Sequence, residues 1–457
     1  MTYSGRTSAS PANVFRLYAA QLRQAMAEVG RSRPADAGFE PAFELPPDSP
    51  ELDAYFAAAD VRFAELGTAG QSRLVLLDLM SNPGTKTVKT LASLVIVARA
   101  AHHIATTGEP VLILTPSSAN KATALRDAVL RAYTYGLATP DELRIVTLVP
   151  DVARPKLWSS QLSDDPALAA VNPMCVLGRG QAEHVKSIAK KVLDSATDEV
   201  YERTGFRLWH TLDLANYRCA DAVRAFVEQT ALPVTPGRTR AHVHSVSSAF
   251  GLLGHHFGTT LLPDPAPAQY FLVQHLSTPD MVVSLHDLRP PAYRYDAATG
   301  LHHQDAEPRY PATTFDPAEN LETTFYTRMP ATSPAMNAII REQGGGGIVV
   351  SLHECLTRYA AVRALLAAGG VDLPADPRTL REWSLVMAVT GTLAAVERGL
   401  LDADEIVLHG TGSYGAGDYT PIADAVLRRV DDATTLRRVI LEAATLEAGT
   451  AAARKVA

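Results

Sequence analysis

Two lysines in one short segment are the residues of this sequence whose type and spacing most directly suggest chemistry. Residues 81–90 read S-N-P-G-T-K-T-V-K-T, follow an apolar run and lead into a predicted helix. The first turn of a helix repels cations, so a lysine there is favoured in its neutral form. A neutral amine acts as a nucleophile or forms a Schiff base. Lys86 and Lys89 are therefore candidate reactive amines, with two solvated lysines on a turn as the alternative.

Three further loops follow predicted strands, which is where ligands bind in open α/β sheets. Residues 115–123 (T-P-S-S-A-N-K-A-T) place small residues before a helix, residues 246–254 (V-S-S-A-F-G-L-L-G) offer serine hydroxyls, and residues 410–417 (G-T-G-S-Y-G-A-G) hold four glycines. Backbone N–H groups at the start of a helix bind carboxylates and phosphates. Taken singly, each loop is equally consistent with helix capping or with a mobile glycine segment.

Taken in order, the four loops resemble those of the tryptophan-synthase-like (fold type II) pyridoxal-phosphate enzymes, and threonine synthase most closely. The matching segments are Thr87-Val88-Lys89 after Pro83, Ser117-Ser118-Ala119-Asn120-Lys121, Asn216-Tyr217-Arg218, Ser248-Ala249-Phe250-Gly251 and Thr411-Gly412-Ser413. They stand where the family has Ser-Phe-Lys, Ser-Thr-Gly-Asn-Thr, Asn-Pro-Tyr-Arg, Gly-Asn-Phe-Gly and Thr-Gly-His-Gly. The resemblance extends from the strand before the lysines to the last glycine loop.

The resemblance implies a role for each matching position. Lys89 is implied to carry the cofactor as a Schiff base and then to move protons as general acid and base. Asn120 is implied to hold the cofactor's 3-hydroxyl. The residues implied to bind the rest of pyridoxal 5'-phosphate are Ser247, Ser248, Ala249, Phe250 and Gly251 at its phosphate, and Thr411 and Ser413 at its pyridine nitrogen. The residues implied to bind the substrate are Thr87, Ser117, Ser118, Lys121, Lys156 and Arg218.

The implied function is that of a pyridoxal-phosphate-dependent lyase or synthase, threonine-synthase-like, which eliminates or replaces a group at the β or γ carbon of an amino acid. A hydroxyl opposite the pyridine nitrogen does not enforce a charged ring, and this suits elimination or replacement better than transamination. The implied setting is amino-acid metabolism or specialised biosynthesis. The implied partners are an amino-acid substrate, a phosphorylated one being an option, and a second copy of the chain in a homodimer.

Several positions depart from the family pattern. Ala119 stands in place of glycine and Lys121 in place of threonine in the loop implied to hold the substrate carboxylate, and Ser248-Ala249 stands in place of Gly-Asn in the phosphate loop. These departures keep an alternative open: a catalytically inactive protein of the same fold that binds a partner or a metabolite. Lys89 is favoured over Lys86 because only Lys89 follows a hydroxyl residue and then an apolar residue, as the family's lysine does.

Short apolar runs that alternate with helical periodicity predict the α/β class, a two-domain fold with parallel-rich sheets flanked by helices. Predicted strands lie at 73–79, 110–115, 143–149, 174–177, 241–246, 269–274, 348–351 and 405–409. Predicted helices lie at 13–29, 53–66, 87–105, 121–135, 182–193, 220–229, 356–367, 380–398 and 419–430, with a long irregular segment at 287–333. The predicted domains are an N-terminal helical extension (1–66), a smaller α/β domain with the lysine and the substrate loop (67–230), and a larger one with the phosphate and pyridine-nitrogen loops (231–457). The boundaries of the smaller domain are expected to be intertwined with the larger domain. The resemblance implies a cofactor site in the cleft between the last two.

The composition disfavours several other classes of protein. A net charge of −7 over 457 residues, with Lys and Arg scattered, provides no basic field for nucleic acid or anionic lipid. Three cysteines at long spacings form no zinc motif, and the histidine pairs at 102–103, 242/244 and 255–256 have no evident third ligand, so no metal is predicted. The most apolar run, residues 91–101, is short and contains Arg99, which predicts a buried element and no membrane span. A cytoplasmic location is the default expectation.

Overall fold

The computed structural model describes residues 13–33 and 38–448 of the chain. These residues form two compact units. Unit 1 consists of Asp60–Ser81 and Arg224–Asp418, and unit 2 of Asn13–Ala59, Asn82–Val223 and the described residues from Tyr419 onward. Each unit is therefore assembled from separate stretches of the chain.

Helices and strands alternate along most of the described chain. The helices are α1 (Val14–Leu17), α2 (Ala19–Arg31), α3 (Pro50–Tyr55), α4 (Lys89–Thr107), α5 (Asn120–Thr134), α6 (Gln161–Asp164), α7 (Pro166–Val171), α8 (His184–Thr204), α9 (Leu214–Asp221), α10 (Val223–Ala231), α11 (Phe250–Thr260), α12 (Asp280–His286), α13 (Ser333–Gln343), α14 (Leu352–Ala368), α15 (Ser384–Glu397) and α16 (Ala433–Thr445). The strands are β1 (Arg62–Ala69), β2 (Ser72–Asp78), β3 (Val111–Pro116), β4 (Leu143–Pro150), β5 (Met174–Leu177), β6 (Arg207–His210), β7 (Arg240–Ser245), β8 (Gln269–His275), β9 (Arg294–Asp296), β10 (Leu301–His303), β11 (Thr313–Thr314), β12 (Gly345–Val350), β13 (Leu380–Glu382), β14 (Glu405–Gly410), β15 (Tyr414–Gly415) and β16 (Arg428–Val430).

Unit 1 is built on a six-stranded sheet in the order β1-β2-β14-β7-β8-β12. Only the β1–β2 pair is antiparallel, and all other neighbours in this sheet are parallel. Every residue of β7 is buried, as are all but the first of β14, which is usual for inner parallel strands covered on both faces. The apolar core joins these strands to α15 through side chains such as Val243, Phe271, Leu385 and Val389.

Unit 2 is built on a five-stranded sheet, β16-β5-β4-β3-β6, in which all neighbours are parallel. Strands β3 and β4 are buried at every position. Helix α4 is buried without interruption from Thr90 to Ala101, so the apolar run 91–101 is a buried helix, as predicted. The charge of Arg99 is accommodated there because its Nη2 lies 3.1 Å from the carboxylate oxygen Oε1 of Glu40 and its Nε donates to the Ala42 carbonyl at 3.0 Å.

The predicted α/β class is confirmed, and all eight predicted strands form. Two predicted helices are wrong. Within 53–66, helix α3 ends at Tyr55 and β1 follows, because pairing with β2 in a hairpin overrides the helical pattern. Within 419–430, the last three residues form β16, because they pair with the exposed edge of β5.

The units also differ from the predicted domain boundaries. Strand β1 begins within the predicted helical extension 1–66 and β2 lies within the predicted smaller domain 67–230, yet both belong to unit 1 because they extend its sheet. The residues from Tyr419 onward were assigned to the larger domain, yet they belong to unit 2 because β16 joins the sheet of that unit. The irregular segment 287–333 contains only the short antiparallel strands β9, β10 and β11. Among the described helices, none has the length and apolarity that crossing a bilayer requires.

Candidate functional site

In unit 2, the segments that follow neighbouring strands contain the predicted ligand residues. Strand β3 ends at Pro116 and leads into Ser117–Lys121, which opens α5, whereas its neighbour β6 ends at His210 and leads into α9 with Tyr217. Because parallel strands end at the same edge of a sheet, these segments lie at one edge. This is the edge at which α/β proteins bind ligands.

Lys89 is the first residue of α4. The turn before it is fixed by Asn82, whose Oδ1 accepts a hydrogen bond from the Gly84 N–H at 3.1 Å and whose Nδ2 donates to Thr90 Oγ1 at 3.3 Å. The hydroxyl of buried Thr87 accepts from the Lys89 N–H at 3.4 Å. Side-chain bonds on both sides of Lys89 therefore fix the backbone from which its amine extends.

The ring of Tyr217 brings two lysine amines together. The Nζ atoms of Lys89 and Lys121 lie 5.3 Å and 5.7 Å from the centroid of this ring. Both distances are within the range of about 6 Å in which an ammonium group is attracted to an aromatic face. Tyr217 is itself buried. The structure thus places two sequence-predicted residues, 32 positions apart, beside one side chain.

Lys121 is a buried amine. Its side chain is 5% exposed, and its Nζ atom has no hydrogen-bond partner among the described residues. Burial, together with the charge of Lys89, lowers the pKa of Lys121 well below the ordinary lysine value, although Asp213 opposes the effect. The neutral form of this amine is therefore favoured more than in an ordinary lysine.

Two further basic side chains belong to the surroundings of Lys121. Burial and the charge of Lys121 lower the pKa of His210 to about 4. The charge of Lys186, in the first turn of α8, contributes to lowering the pKa of Lys121. An anion bound here would relieve the mutual repulsion of these groups, so the environment suits a ligand with acidic groups.

The loop between β3 and α5 contains a strained alanine. Ala119 is buried and has φ 106° and ψ −62°, in the region that favours glycine. The Ser117 hydroxyl accepts hydrogen bonds from the N–H groups of Ala119 and Ala122 at 3.2 Å and 2.9 Å. The chain therefore keeps a glycine-type backbone at the position where the family sequence has glycine.

In unit 1, two predicted cofactor loops follow adjacent strands. Residues 247–251 follow β7, and residues 411–413 follow β14, which is the parallel neighbour of β7. Both loops therefore leave the same edge of the six-stranded sheet. The structure brings together, within this unit, the residues predicted to bind the phosphate and the pyridine nitrogen.

The phosphate loop ends in a second alanine with positive φ. Ala249, the N-cap of α11, has φ 52° and ψ 20° and offers no side-chain acceptor to the first-turn N–H groups of the helix. The Thr332 hydroxyl donates to the Ser248 carbonyl at 2.7 Å. A Cβ atom on Gly251 would lie 2.6 Å from Nη2 of Arg224, so any larger residue there would have to displace the guanidinium group or the helix.

The loop after β14 is held by its central glycine. The Gly412 carbonyl accepts hydrogen bonds from the Ser384 hydroxyl and from the Leu385 N–H, both at 3.2 Å. A Cβ on Gly412 would lie 2.8 Å from Cγ of Glu382. The half-buried Thr411 and Ser413 flank this fixed point, so their hydroxyls extend from a rigid backbone.

The remaining predicted residues occupy different environments. Asn120 is buried at the first position of α5. Lys156 is buried at the end of the 3-10 turn Asp151–Lys156 after β4. Arg218 is exposed on α9, beside the buried Tyr217. Lys86 precedes α4 with φ 45°. The binding roles assigned to Lys156 and Arg218 stay predictions.

Two histidines that the sequence analysis set aside, His242 and His255, meet His409 inside unit 1. Ligand nitrogens of His242, His255 and His409 lie within 4.8 Å of one another, and all three rings are buried. His409 Nε2 is 3.1 Å from His242 Nδ1, and His255 Nε2 is 2.8 Å from Glu228 Oε2. Burial lowers the pKa of His242 to about 3. The three rings are therefore joined in one buried hydrogen-bonded cluster that includes Glu228.

Sequence reasoning missed several residues of these sites. Tyr217 stood in a matching segment, but only its neighbour Arg218 received a role. His210 is the last residue of β6, and Lys186 lies in the first turn of the helix that follows β5. Their positions relative to these strand ends were the available signal. The signal for His409 was its register opposite His244 on a neighbouring parallel strand, which requires the strand order.

Comparisons with known proteins agree with this fold. The profile of a family of unknown function (DUF6002) matches residues 10–444, and no curated protein sequence matches the chain. Threonine synthase from Escherichia coli superposes with a TM-score of 0.55 at 16% identity, over 92% of this chain and 96% of that chain. Threonine synthase from yeast has a TM-score of 0.54 at 11% identity, over 95% and 91%. A pyridoxal-phosphate-bound threonine synthase from Brucella melitensis has a TM-score of 0.51 at 12% identity, over 95% and 89%. The predicted fold type is confirmed.

Replacing Ala119 with glycine is expected to stabilise the protein. An L-residue held at this positive φ costs of order 1–3 kcal/mol. Glycine removes this strain, but it loses more conformational entropy on folding than alanine does, and this loss cancels part of the gain. We expect Ala119→Gly to raise the free energy of unfolding by about 1 kcal/mol in urea titrations. The control, Ala122→Gly inside α5, should lower it by about 0.5–1 kcal/mol. Equal destabilisation by both changes would contradict the strained backbone.

The buried amine of Lys121 predicts a pH-dependent stability. Because the folded state disfavours the charged amine, folding is penalised below the pKa of lysine in the unfolded chain, about 10.4, and the penalty grows down to the lowered native pKa. We expect Lys121→Met to raise the free energy of unfolding at pH 7, with a gain that shrinks toward zero near pH 10. Lys191→Met, at an exposed position of α8, is the control and should show no such trend. A gain independent of pH would argue against a depressed pKa.

Proposed function

Since the chain belongs to DUF6002, a family of unknown function, and has the fold of the threonine synthases, we propose that it is a pyridoxal-phosphate-dependent lyase or synthase. Its reaction is elimination or replacement at the β or γ carbon of an amino acid. The observation that carries the proposal is the pair of amines, Lys89 and Lys121, beside the ring of Tyr217. Two lysines held close at a ligand-binding edge are costly to maintain without a function.

The residues of each loop fit the cofactor. The start of α11 has first-turn N–H groups and no acceptor from Ala249, so a phosphate is a suitable acceptor there. Ser247 and Ser248 add hydroxyls, and glycine at position 251 keeps the backbone accessible to a ligand. Thr411 and Ser413 offer hydroxyls for the pyridine nitrogen, and Asn120 an amide for the 3-hydroxyl.

Lys89 is the amine proposed to bond the cofactor's aldehyde. When bound, pyridoxal phosphate withdraws electrons from the α carbon of an amino acid and so acidifies its proton. Once the amino group of the substrate has displaced Nζ of Lys89 from the aldehyde carbon, this freed amine would accept that proton and return it at the β or γ carbon, as a general base and acid. The fixed turn before α4 supports this role because proton transfer needs a defined geometry.

Lys121 has two roles in the proposal. As a neutral amine next to Lys89 it is a second proton acceptor. When protonated by a bound acid, it pairs with the substrate's carboxylate or phosphate, in the company of Ser117, Ser118 and Thr87. Lys156 and Arg218 are proposed to bind a second acidic group of the substrate. The threonine that the family has at the position of Lys121 cannot carry a positive charge. The substrate of this protein is therefore proposed to differ from the family's substrate in its charge or in its position in the site.

The alternative function is a protein of this fold without catalysis, which binds a metabolite or a partner. The strained backbones of Ala119 and Ala249 favour this non-catalytic function, because alanine lets the two ligand loops adopt fewer conformations than glycine would. The two functions differ in the presence of a covalently bound cofactor. For the enzyme we also propose a homodimer, which light scattering during size-exclusion chromatography tests.

Lys89, and not Lys86, is expected to be the residue that bonds the cofactor. Wild-type protein with pyridoxal phosphate should absorb at about 410–430 nm, and borohydride reduction followed by peptide mapping should place the adduct on Lys89. Lys89→Ala should abolish both the band and turnover, whereas Lys86→Ala should keep the band. An adduct on Lys121 or Lys86 would reassign the reactive amine. No band in wild-type protein with added cofactor would favour the non-catalytic alternative.

A methyl group on Gly251 is expected to disturb the phosphate loop. Because the new Cβ would lie 2.6 Å from Nη2 of Arg224, the guanidinium group or the helix must shift. Overpacking of this kind costs about 1–3 kcal/mol, so Gly251→Ala should destabilise the protein by that amount and weaken cofactor binding about tenfold. Gly417→Ala, which meets no atom within 4 Å, is the control. Unchanged stability and affinity in Gly251→Ala would contradict the close contact.

A further inference from the structure

Three buried histidines of unit 1 converge from separate elements of the fold. His242 lies on β7, His409 on the neighbouring strand β14, and His255 on α11. One ring nitrogen of each lies within 4.8 Å of the nitrogens of the other two. Nitrogens bound to one tetrahedral Zn²⁺ at about 2.0–2.1 Å are about 3.3 Å apart. His242 Nδ1 and His409 Nε2, 3.1 Å apart, already have nearly this separation.

A carboxylate of α10 completes the group. Glu228 Oε2 is 2.8 Å from His255 Nε2, and Glu228 Oε1 is 3.4 Å from His242 Nε2. The four side chains therefore contact one another in the order His409, His242, Glu228, His255 and form a histidine chain. Imidazole nitrogens and a carboxylate oxygen are ligands that Zn²⁺ and related transition-metal ions prefer.

Two of the rings have an acceptor for the nitrogen that would not bind an ion. A histidine that binds a metal through one nitrogen usually donates the N–H of the other, which fixes the orientation of the ring. His255 Nδ1 lies 2.9 Å from the Tyr270 hydroxyl, which leaves Nε2 for the ion. His242 Nε2 faces Glu228 Oε1, which leaves Nδ1 for the ion.

A cavity within unit 1 reaches the histidine chain. Its volume is about 330 Å³, and its lining includes Glu228, His242 and His255. The exposed residues 264–267 line the same cavity, so it connects the ligand atoms with solvent. A metal site requires an entry path of this kind. The convergence of ligands and the cavity are independent observations that point to one site.

Two arginines border the chain and restrict the kind of ion that fits. Arg240 donates to Glu228 Oε1 at 2.5 Å and to Glu405 Oε1 at 2.6 Å, so two carboxylates balance its charge. Arg224 Nη1 lies 3.3 Å from His409 Nδ1, and it must turn away when that nitrogen carries a proton. Mg²⁺ and Ca²⁺ require several oxygen ligands, whereas imidazole suits Zn²⁺, Co²⁺ and Ni²⁺. The site therefore selects transition-metal ions.

We propose that His242, His255 and His409 bind a divalent transition-metal ion of the Zn²⁺ class, with Glu228 as the fourth ligand. His409 is the third histidine that the sequence did not reveal. The ion ties together β7, β14, α10 and α11. Because α11 begins at loop 247–251, the ion also fixes the helix that follows this loop. The site does not depend on the proposed function.

The test measures metal binding in the absence of pyridoxal phosphate. Protein treated with EDTA and then freed of the chelator is titrated with Zn²⁺, Co²⁺ and Mg²⁺ in a calorimeter. We expect a single Zn²⁺ to bind each chain and to raise its Tm, and Co²⁺ to give the visible absorption bands of a tetrahedral site. Mg²⁺ should neither bind nor stabilise the protein.

Variants of the chain locate the ion. His255→Gln should weaken Zn²⁺ binding by about a hundredfold or more, because it removes a ligand. Tyr270→Phe removes only the hydroxyl beside His255 Nδ1 and should weaken binding about tenfold. This conservative change keeps the test available if His255→Gln does not fold. His302→Gln, on the half-buried strand β10, is the control and should leave the affinity unchanged.

Other outcomes would overturn the inference. Wild-type protein that binds neither Zn²⁺ nor Co²⁺ has no such site. Unchanged Zn²⁺ affinity in His255→Gln, or in Tyr270→Phe if the first variant does not fold, would place the ion elsewhere. Loss of binding in His302→Gln would also refute the assignment. Since no cofactor is present, each of these results is independent of whether the protein binds pyridoxal phosphate.

Discussion

Parallel strands all end at the same edge of their sheet, and this constraint positions most of the candidate ligand residues of the protein. In unit 2 it brings the segment after β3 to the same edge as the segment after β6, so Lys121 and Tyr217 meet. In unit 1 it brings the loops after β7 and β14 together. Residues far apart in the sequence become neighbours because the hydrogen bonds between parallel strands fix the strands side by side, with their ends at one edge.

The sequence was sufficient to predict the class of fold and the loops that matter. Short buried strands such as β3 and β4 are recognisable because they are apolar throughout, and the order of loops identified the fold type. The sequence was insufficient where pairing partners decide the structure. Residues 62–69 have an ambiguous pattern and become a strand because β2 is beside them, and residues 428–430 become a strand because β5 has a free edge.

The same limit applies to the candidate site. Lys89 and Lys121 were recognisable by type and position, but their shared contact with Tyr217 depends on how α9 packs. The histidine chain required knowledge of strand order, since His244 and His409 are opposite each other only when β7 and β14 are adjacent. Substitutions that looked like losses have a physical meaning in the structure. Ala119 and Ala249 retain positive φ, so the loops keep their backbone shape while the side chains differ.

The described chain passes between the two units four times, after Ala59, Ser81, Val223 and Asp418. Neither unit therefore corresponds to one continuous stretch of gene, and recombination that moves one intact would cut the other. Loss of the residues after Asp418 would expose the edge of β5 in unit 2, and an unprotected edge invites association with other chains. The two units are thus inherited together and cannot be exchanged as separate modules.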